Sequence, residues 1–567
     1  MNDRRATSMA ARYAPFLLVI AAQALLVGLL PSTGGGGSRV NAFAPPDLAT
    51  GSPTTWAPGG DGGTGGTGTP GTGSGSSPGT GAGPTSAGPS AASAAGGEGG
   101  GPASTGAPAG DTSHCTPDGR QQGVTSFSPP CVPAFAGDNG GETYRGVTAT
   151  EIRAVLVRNS YGPAVDGALL AAGLAASPEE EASSMVDIAA FLNKRYEQYG
   201  REITWSFHYA SCDMSTSVEC ARTEARTIVQ KYDPFIVATP LQVMAEYHDE
   251  LSKQGVVNVG GWHQPREFYA RLRPFHYDWF PDGSLMAENI GSYWCNKMAG
   301  KKAVHAGDPA LQVQDRKLAI IAPDTEESTS VVHTLQQAIG ACGTSAKDYR
   351  YSGPFDKASE EFGAIVTQLR NDGVTTVTCL CDPIRPAFMT TAMTNQAYFP
   401  EHLISGMGAA DHDYFGRLYD QSQWANAFGP GIQQQPVAIE QQDDYKAYQD
   451  VGADYRCYAC LANFYWMNQS AIQIQTAGPQ LDPGTLEHGT LSLPPMGGFE
   501  NTGNALVPLV RFGADDYTGM SDSMEVYWDP AATSEIDGKP GSYVCVQPDC
   551  RRYELGRWPV GDAKQPT

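Results

Sequence analysis

The residues of this chain best suited to chemistry sit in short loops that follow apolar runs. Asn159-Ser160-Tyr161 follows one run, Thr239-Pro240-Leu241-Gln242 a second and Gly261-Trp262-His263 a third. A later set comprises Asp324-Thr325-Glu326-Glu327, Asp382 and Gly406-Met407. Together they offer hydroxyl, amide, imidazole, indole and carboxylate groups, the means of holding a small molecule by hydrogen bonds and ring contact. The candidate ligand-binding residues are therefore Tyr161, Thr239, Gln242, Trp262, His263, Asp324, Glu326 and Asp382. Several also have a purely structural reading. Asp324 is placed to cap a helix beginning near Ser328. Glu326 and Glu327 fall in its first turn, where negative charge is favourable. Asp382 precedes Pro383 at a helix start, and His412 between Asp411 and Asp413 reads as a solvated loop rather than a metal cluster. No catalytic residue is assigned. Beyond residue 110 the chain has no G-x-S-x-G elbow, no H-E-x-x-H, no Walker loop and no dinucleotide G-x-G-x-x-G. The expectation is a protein that is not an enzyme and uses neither cofactor nor metal.

The elements that must position these loops occur in two similar passes. The first contains Arg153–Val157, Phe235–Ala238 and Val256–Val259; the second contains Lys317–Ile321, Thr376–Cys379 and His402–Ile404. Each run is short, apolar and rich in β-branched residues, and helical sequence follows nearly all of them. Such runs suit strands buried on both faces of a parallel sheet. The fold class implied is α/β, with two doubly wound parallel-sheet lobes. Their natural ligand site is the crevice at the carboxyl ends of the strands.

Helical periodicity marks 179–199, 218–231 and 245–254 in lobe 1, and 285–299, 328–339, 360–371 and 387–395 in lobe 2. A strand is expected at 203–209. The segment 443–476 is helical and returns to lobe 1, and Met524–Trp528 resembles a strand. The resulting division is 1–33 signal anchor or signal peptide, 34–110 tether, 111–145 disulfide-pinned lead-in and 146–270 first part of lobe 1. Lobe 2 follows at 271–410, and 411–567 holds the return to lobe 1 and the C-terminal strands.

Composition sets the compartment. Arg4, Arg5 and Arg12 precede an apolar run from Tyr13 to Leu30, the layout of an exported chain. Ala42-Phe-Ala44 resembles a cleavage signal but lies late, which favours an uncleaved anchor. Residues 34–110 are mostly Gly, Pro, Ser, Thr and Ala, too poor in large apolar side chains to offset chain entropy. The net charge of −23 disfavours nucleic acid and anionic lipid as partners, leaving the N-terminal segment as the membrane contact. Twelve cysteines suit an oxidising compartment. Local spacing suggests the pairs Cys115–Cys131, Cys212–Cys220, Cys457–Cys460 and Cys545–Cys550, with Cys295–Cys342 flanking one strand-helix unit. Cys379-Leu-Cys381 and Cys457-Tyr-Ala-Cys460 also have zinc-like spacing, a weaker reading in an exported chain.

Gly146-Val-Thr-Ala-Thr-Glu-Ile-Arg153 resembles the opening of the type I periplasmic binding proteins, specifically the leucine/isoleucine/valine-binding branch. Ser211-Cys212-Asp213, Pro234–Thr239, Leu318–Ala322 and Tyr398-Phe-Pro-Glu401 follow in that family's order. The resemblance spans roughly residues 146 to 530. It implies three crossings between the lobes, closure on a small-molecule ligand, a monomer, and delivery to the permease of an ABC transporter. A ligand-sensing or protein-binding ectodomain is the alternative. Leu241 and Trp262 stand where amino-acid-binding relatives carry small polar residues, which favours a ligand with an apolar or ring face. Many Gram-positive relatives have a lipid-anchor cysteine, and none follows the apolar run here until Cys115.

If 34–110 is a tether, limited proteolysis of the exported protein cuts within it and releases a stable fragment starting near residue 111. A resistant fragment retaining residues 50 to 100 contradicts that.

Overall fold

In strand β1 (Glu151–Arg158), alternate side chains feed two different cores. Ile152, Ala154 and Leu156 enter one, and Val155 and Val157 enter the other. Successive residues of a strand point to opposite faces, so a strand apolar at nearly every position must be covered on both. The same holds for β6 (Leu318–Pro323), where Leu318, Ile320 and Ala322 face one core and Ala319 and Ile321 the other.

The computed structural model describes residues 110–564 apart from 241, 500–505 and 515. The expected N-terminal anchor, all but the last residue of the 34–110 stretch, and Leu241 lie outside the described residues. Among the described residues no helix is long and apolar enough to cross a membrane.

Lobe 1 is built on a five-stranded parallel sheet. Its remaining strands are β2 (Glu202–Tyr209), β3 (Ile236–Thr239), β4 (Val257–Gly260) and β5 (His276–Tyr277), in the order β2-β1-β3-β4-β5. Helices α1 (Pro163–Ala171), α2 (Pro178–Arg195), α3 (Val218–Tyr232), α4 (Ala245–Lys253) and α5 (Arg266–Arg271) connect them. The start of α2 is well specified. Ser177 accepts from the Glu180 amide at 3.1 Å, Pro178 occupies the first turn, and Lys194 and Arg195 fall in the last.

Lobe 2 repeats the pattern with β7 (Lys347–Tyr351), β8 (Thr376–Cys379), β9 (Glu401–Leu403) and β10 (Ala427–Gly431), in the order β7-β6-β8-β9-β10. Its helices are α6 (Gly283–Tyr293), α7 (Pro309–Gln312), α8 (Glu326–Gly340), α9 (Ala358–Asn371), α10 (Arg385–Asn395), α11 (Asp413–Gly416) and α12 (Gln421–Trp424). The chain then re-enters lobe 1 through α13 (Asp443–Asp450), α14 (Tyr458–Ala477) and α15 (Pro483–Leu491), with α13 and α14 packed on α2. A short β11–β12 ladder (Met496–Gly497 with Leu509–Val510) precedes the final crossing. Strands β13 (Asp522–Thr533), β14 (Pro540–Cys545) and β15 (Arg552–Glu554) end the chain as an antiparallel extension of the lobe 2 sheet beside β10.

Two boundaries differ from the sequence reading. β5 keeps residues to 277 in lobe 1, so the first crossing begins at Asp278 rather than 271. Residues 411–431 and 522–554 belong to lobe 2, because β10 pairs β9 and β13 pairs β10. All five expected disulfides are present, and Cys379 pairs with Cys381. The zinc-like spacings are thus occupied by disulfides, with no thiolates left for a metal.

The amino ends of the lobe 2 strands are tied by one ion pair. Arg316 donates two 2.8 Å hydrogen bonds to Glu401, which also accepts from the Thr376 hydroxyl and the His305 amide, and both charged side chains are almost fully buried. Glu401→Leu leaves Arg316 buried without its anion and is expected to destabilise the protein by roughly 3–5 kcal/mol. Urea unfolding measures this, and a loss below about 1 kcal/mol contradicts it.

Candidate functional site

In both sheets the first strand of the repeat neighbours the second and third, so the strand order reverses between β1 and β3, and again between β6 and β8. Loops leaving such neighbouring strands go to opposite faces and open a crevice at their carboxyl ends. Here the two crevices face each other and merge into one cavity of about 300 Å³.

From lobe 1 its wall takes Arg158 at the end of β1, Tyr161 after it, Gln242 after β3, and Trp262 and His263 after β4. Arg158 forms an ion pair with Glu181 of α2, both side chains nearly buried, and burial raises the carboxyl pKa of Glu181. The Trp262 loop is held from behind. Its amide donates to Asp278 at 2.9 Å, and its ring stacks on Trp466 with centroids 5.7 Å apart. Trp262 and His263 both have positive φ, 43° and 59°, an uncommon conformation for side-chain-bearing residues that tends to persist only where surroundings enforce it. His263 Nδ1 donates to the Pro281 carbonyl at 2.8 Å, which leaves Nε2 as an acceptor, and that atom is buried without a partner. Burial lowers the His263 pKa to about 4.

From lobe 2 come Asp324 after β6, Tyr351 and Phe355 around the end of β7, and Asp382 and Arg385 after β8. Asp382 accepts from the Ile384 and Arg385 amides at 2.9 and 3.1 Å and forms an ion pair with the Arg385 side chain. The Arg385 guanidinium lies 4.0 Å from the Phe355 ring centroid and 4.8 Å from that of Tyr351. It is only 5% exposed, and its Nη2 has no hydrogen-bond partner. Phe355 also meets Tyr161 edge to face at 5.9 Å, so an aromatic contact joins the lobes across the cavity. Ser330 of α8 donates to Glu267 of α5, a second bond between lobes.

Six of the eight sequence candidates line this cavity: Tyr161, Gln242, Trp262, His263, Asp324 and Asp382. Thr239 does not. It is fully buried at the end of β3, with its hydroxyl bonded to Tyr247 at 3.2 Å. Glu326 is exposed in the first turn of α8, and Glu327, one residue on, reaches the wall instead. Thr325, not Asp324, caps α8 by accepting from the Ser328 amide. The 411–413 loop is not solvated: Asp411 and Asp413 are buried and accept backbone amides of Ile432, Gln433 and Tyr543. Arg158, Glu181, Tyr351, Phe355 and Arg385 were missed. An arginine closing an apolar strand and the Asp382-x-x-Arg385 spacing were signals available for two of them.

No protein-family model and no curated protein sequence matches the chain. Solved structures do resemble it. A type 1 periplasmic binding protein from Bordetella pertussis Tohama I matches at 13% identity and TM-score 0.47, covering 70% of this chain and 99% of that one. An ABC transporter solute-binding protein from R. palustris, in complex with 4-hydroxybenzoate, matches at 11% identity and TM-score 0.49, over 72% and 98%. A leucine-, isoleucine-, valine-, threonine- and alanine-binding protein from Brucella ovis in its closed conformation matches at 11% and 0.49, over 73% and 100%. The fold class itself rests on the repeated strand order.

Because its folded pKa is lowered, His263 stays neutral while its unfolded counterpart takes up a proton below about pH 6.5. Its contribution to stability is therefore complete above about 6.5 and is lost as pH falls toward 4. In an NMR titration from pH 8 to 5 the His263 ring should remain neutral. A midpoint above 6 contradicts the assignment.

Proposed function

We propose that this chain is an extracytoplasmic solute-binding protein that captures a small amphipathic molecule between two closing lobes and presents it to an ABC importer. The observation that carries the reading is the Arg385 Nη2 donor. It is cationic, buried in the wall of the interlobe cavity, held by flanking rings and Asp382, and without a partner. An unpartnered buried donor of this kind is costly, and a ligand acceptor, best an anionic oxygen, removes the cost.

The rest of the cavity supports an amphipathic ligand. Trp262, Tyr351 and Phe355 offer ring surface, and His263 Nε2 offers an acceptor for a hydroxyl or amine. Contacts come from both lobes, as closure on a ligand requires. The exported, tethered layout and the family resemblance support delivery to an importer.

A thermal-shift screen of small metabolites tests this, because binding to the native state adds about 2.7 kcal/mol of stability at 100 Kd. Arg385→Met is expected to keep the fold and weaken the screened solute by about 1.5–3 kcal/mol, roughly ten- to 150-fold. Trp262→Ala is expected to weaken it by about 1–3 kcal/mol. Absence of any stabilising solute, or unchanged affinity in Arg385→Met, sinks the reading.

A further inference from the structure

The cavity is larger than the interlobe cleft. Part of its lining belongs to lobe 1 alone: Leu156 of β1, Phe207 of β2, Leu169 of α1, and Leu174 and Ala175 just beyond α1. Leu156 and Phe207 are register partners on neighbouring strands, so their side chains share one face of the sheet. The Leu174 carbonyl accepts from the Ala459 amide at 3.1 Å, which fixes this wall against the start of α14. The charged groups beside it, Arg158 and Glu181, are paired with each other and need no charge from a ligand. The result is an apolar compartment opening into the cleft.

Its roof, α1, is unlike the other helices around the sheet. The sequence Pro-Ala-Val-Asp-Gly-Ala-Leu-Leu-Ala is mostly apolar, yet none of its residues is buried, and Leu170 is 51% exposed. Gly162 and Gly173 flank it with φ of 90° and 72°, and a side chain at either would meet nothing within 4 Å. One polar anchor holds its front: Asp166 accepts from the Ser160 hydroxyl, the Tyr161 amide and the Tyr209 hydroxyl at 3.0–3.1 Å. Leu169 packs inward against the core. A helix with so few buried apolar contacts, between glycines, opens at low cost.

We propose that this compartment is a subsite for an aliphatic tail, so that the solute is an amphipathic carboxylate with its head at Arg385 and its tail beneath α1. The inference rests on the reading of the cavity as the solute site. It adds a chain-length specificity set by lobe 1, with α1 as the flap that admits and covers the tail.

The test is a tryptophan-fluorescence titration of the purified protein with straight-chain carboxylates from butanoate to dodecanoate. Affinity is expected to rise about fourfold per added methylene until the compartment is full. Leu169→Trp fills the compartment from a helix none of whose residues is buried, and so spares the fold. It is expected to abolish that rise with chain length. Leu169→Ala enlarges the compartment and should move the optimum to a longer chain. Equal slopes in wild type and Leu169→Trp overturn the proposal, as does length-independent binding. If no carboxylate of the series binds but a solute from the metabolite screen does, the tail subsite is wrong and the solute-binding reading stands. If neither binds, both fall.

Discussion

The geometry of the cavity depends on one buried carboxylate. Asp278 opens the first crossing between the lobes and is fully buried, yet it accepts four hydrogen bonds. These come from the Trp262 and Phe280 amides, the Trp466 indole and the Tyr269 hydroxyl, at 2.9–3.2 Å. A carboxylate cannot be left unpaired away from water, so the elements supplying those donors must converge on it. They belong to the β4 loop, the crossing itself, α5 and α14. Burial pushes its pKa up to about 6, against the four donors, which act to lower it. Through this one group the strained Trp262-His263 wall is fixed to the point about which the lobes meet.

The second crossing is secured in a related way. Asp411 accepts the Ile432 and Gln433 amides at 2.6 and 2.9 Å, and burial again raises its pKa to about 6. The third runs beside the first, with the Asp278 amide donating to the Tyr517 carbonyl and the Met520 amide to that of Trp279. Phe127 of the lead-in packs edge to face on Trp279 at 4.9 Å, so residues ahead of lobe 1 also brace the crossings.

Much of this was legible in the sequence where both faces of a strand are buried. β1, β3, β4, β6, β8 and β9 announced themselves as apolar runs, and their order placed the crevice. β7 was passed over because Lys347-Asp-Tyr-Arg-Tyr351 alternates, with Tyr349 and Tyr351 buried at an edge of the sheet. β10 was missed because Ala-Phe-Gly-Pro-Gly reads as a turn, although all five residues are buried between β9 and β13. α1 has no periodic apolar face to detect. Most of the residues taken from loop positions line the cavity, whereas Arg385 with its ring partners required the pairing of β7 with β6, which a linear reading does not supply. Thr239 failed because the last residue of a buried strand can face the core as readily as the crevice.

The most direct test of the account is a crystal structure of the protein with a stabilising solute from the metabolite screen. The account predicts that solute in the interlobe cavity, with an acceptor oxygen within hydrogen-bond distance of Arg385 Nη2 and its apolar part against Trp262, Phe355 or the wall beneath α1. A solute bound elsewhere on the molecule, or one in the cavity that leaves Arg385 Nη2 without a partner, would contradict it.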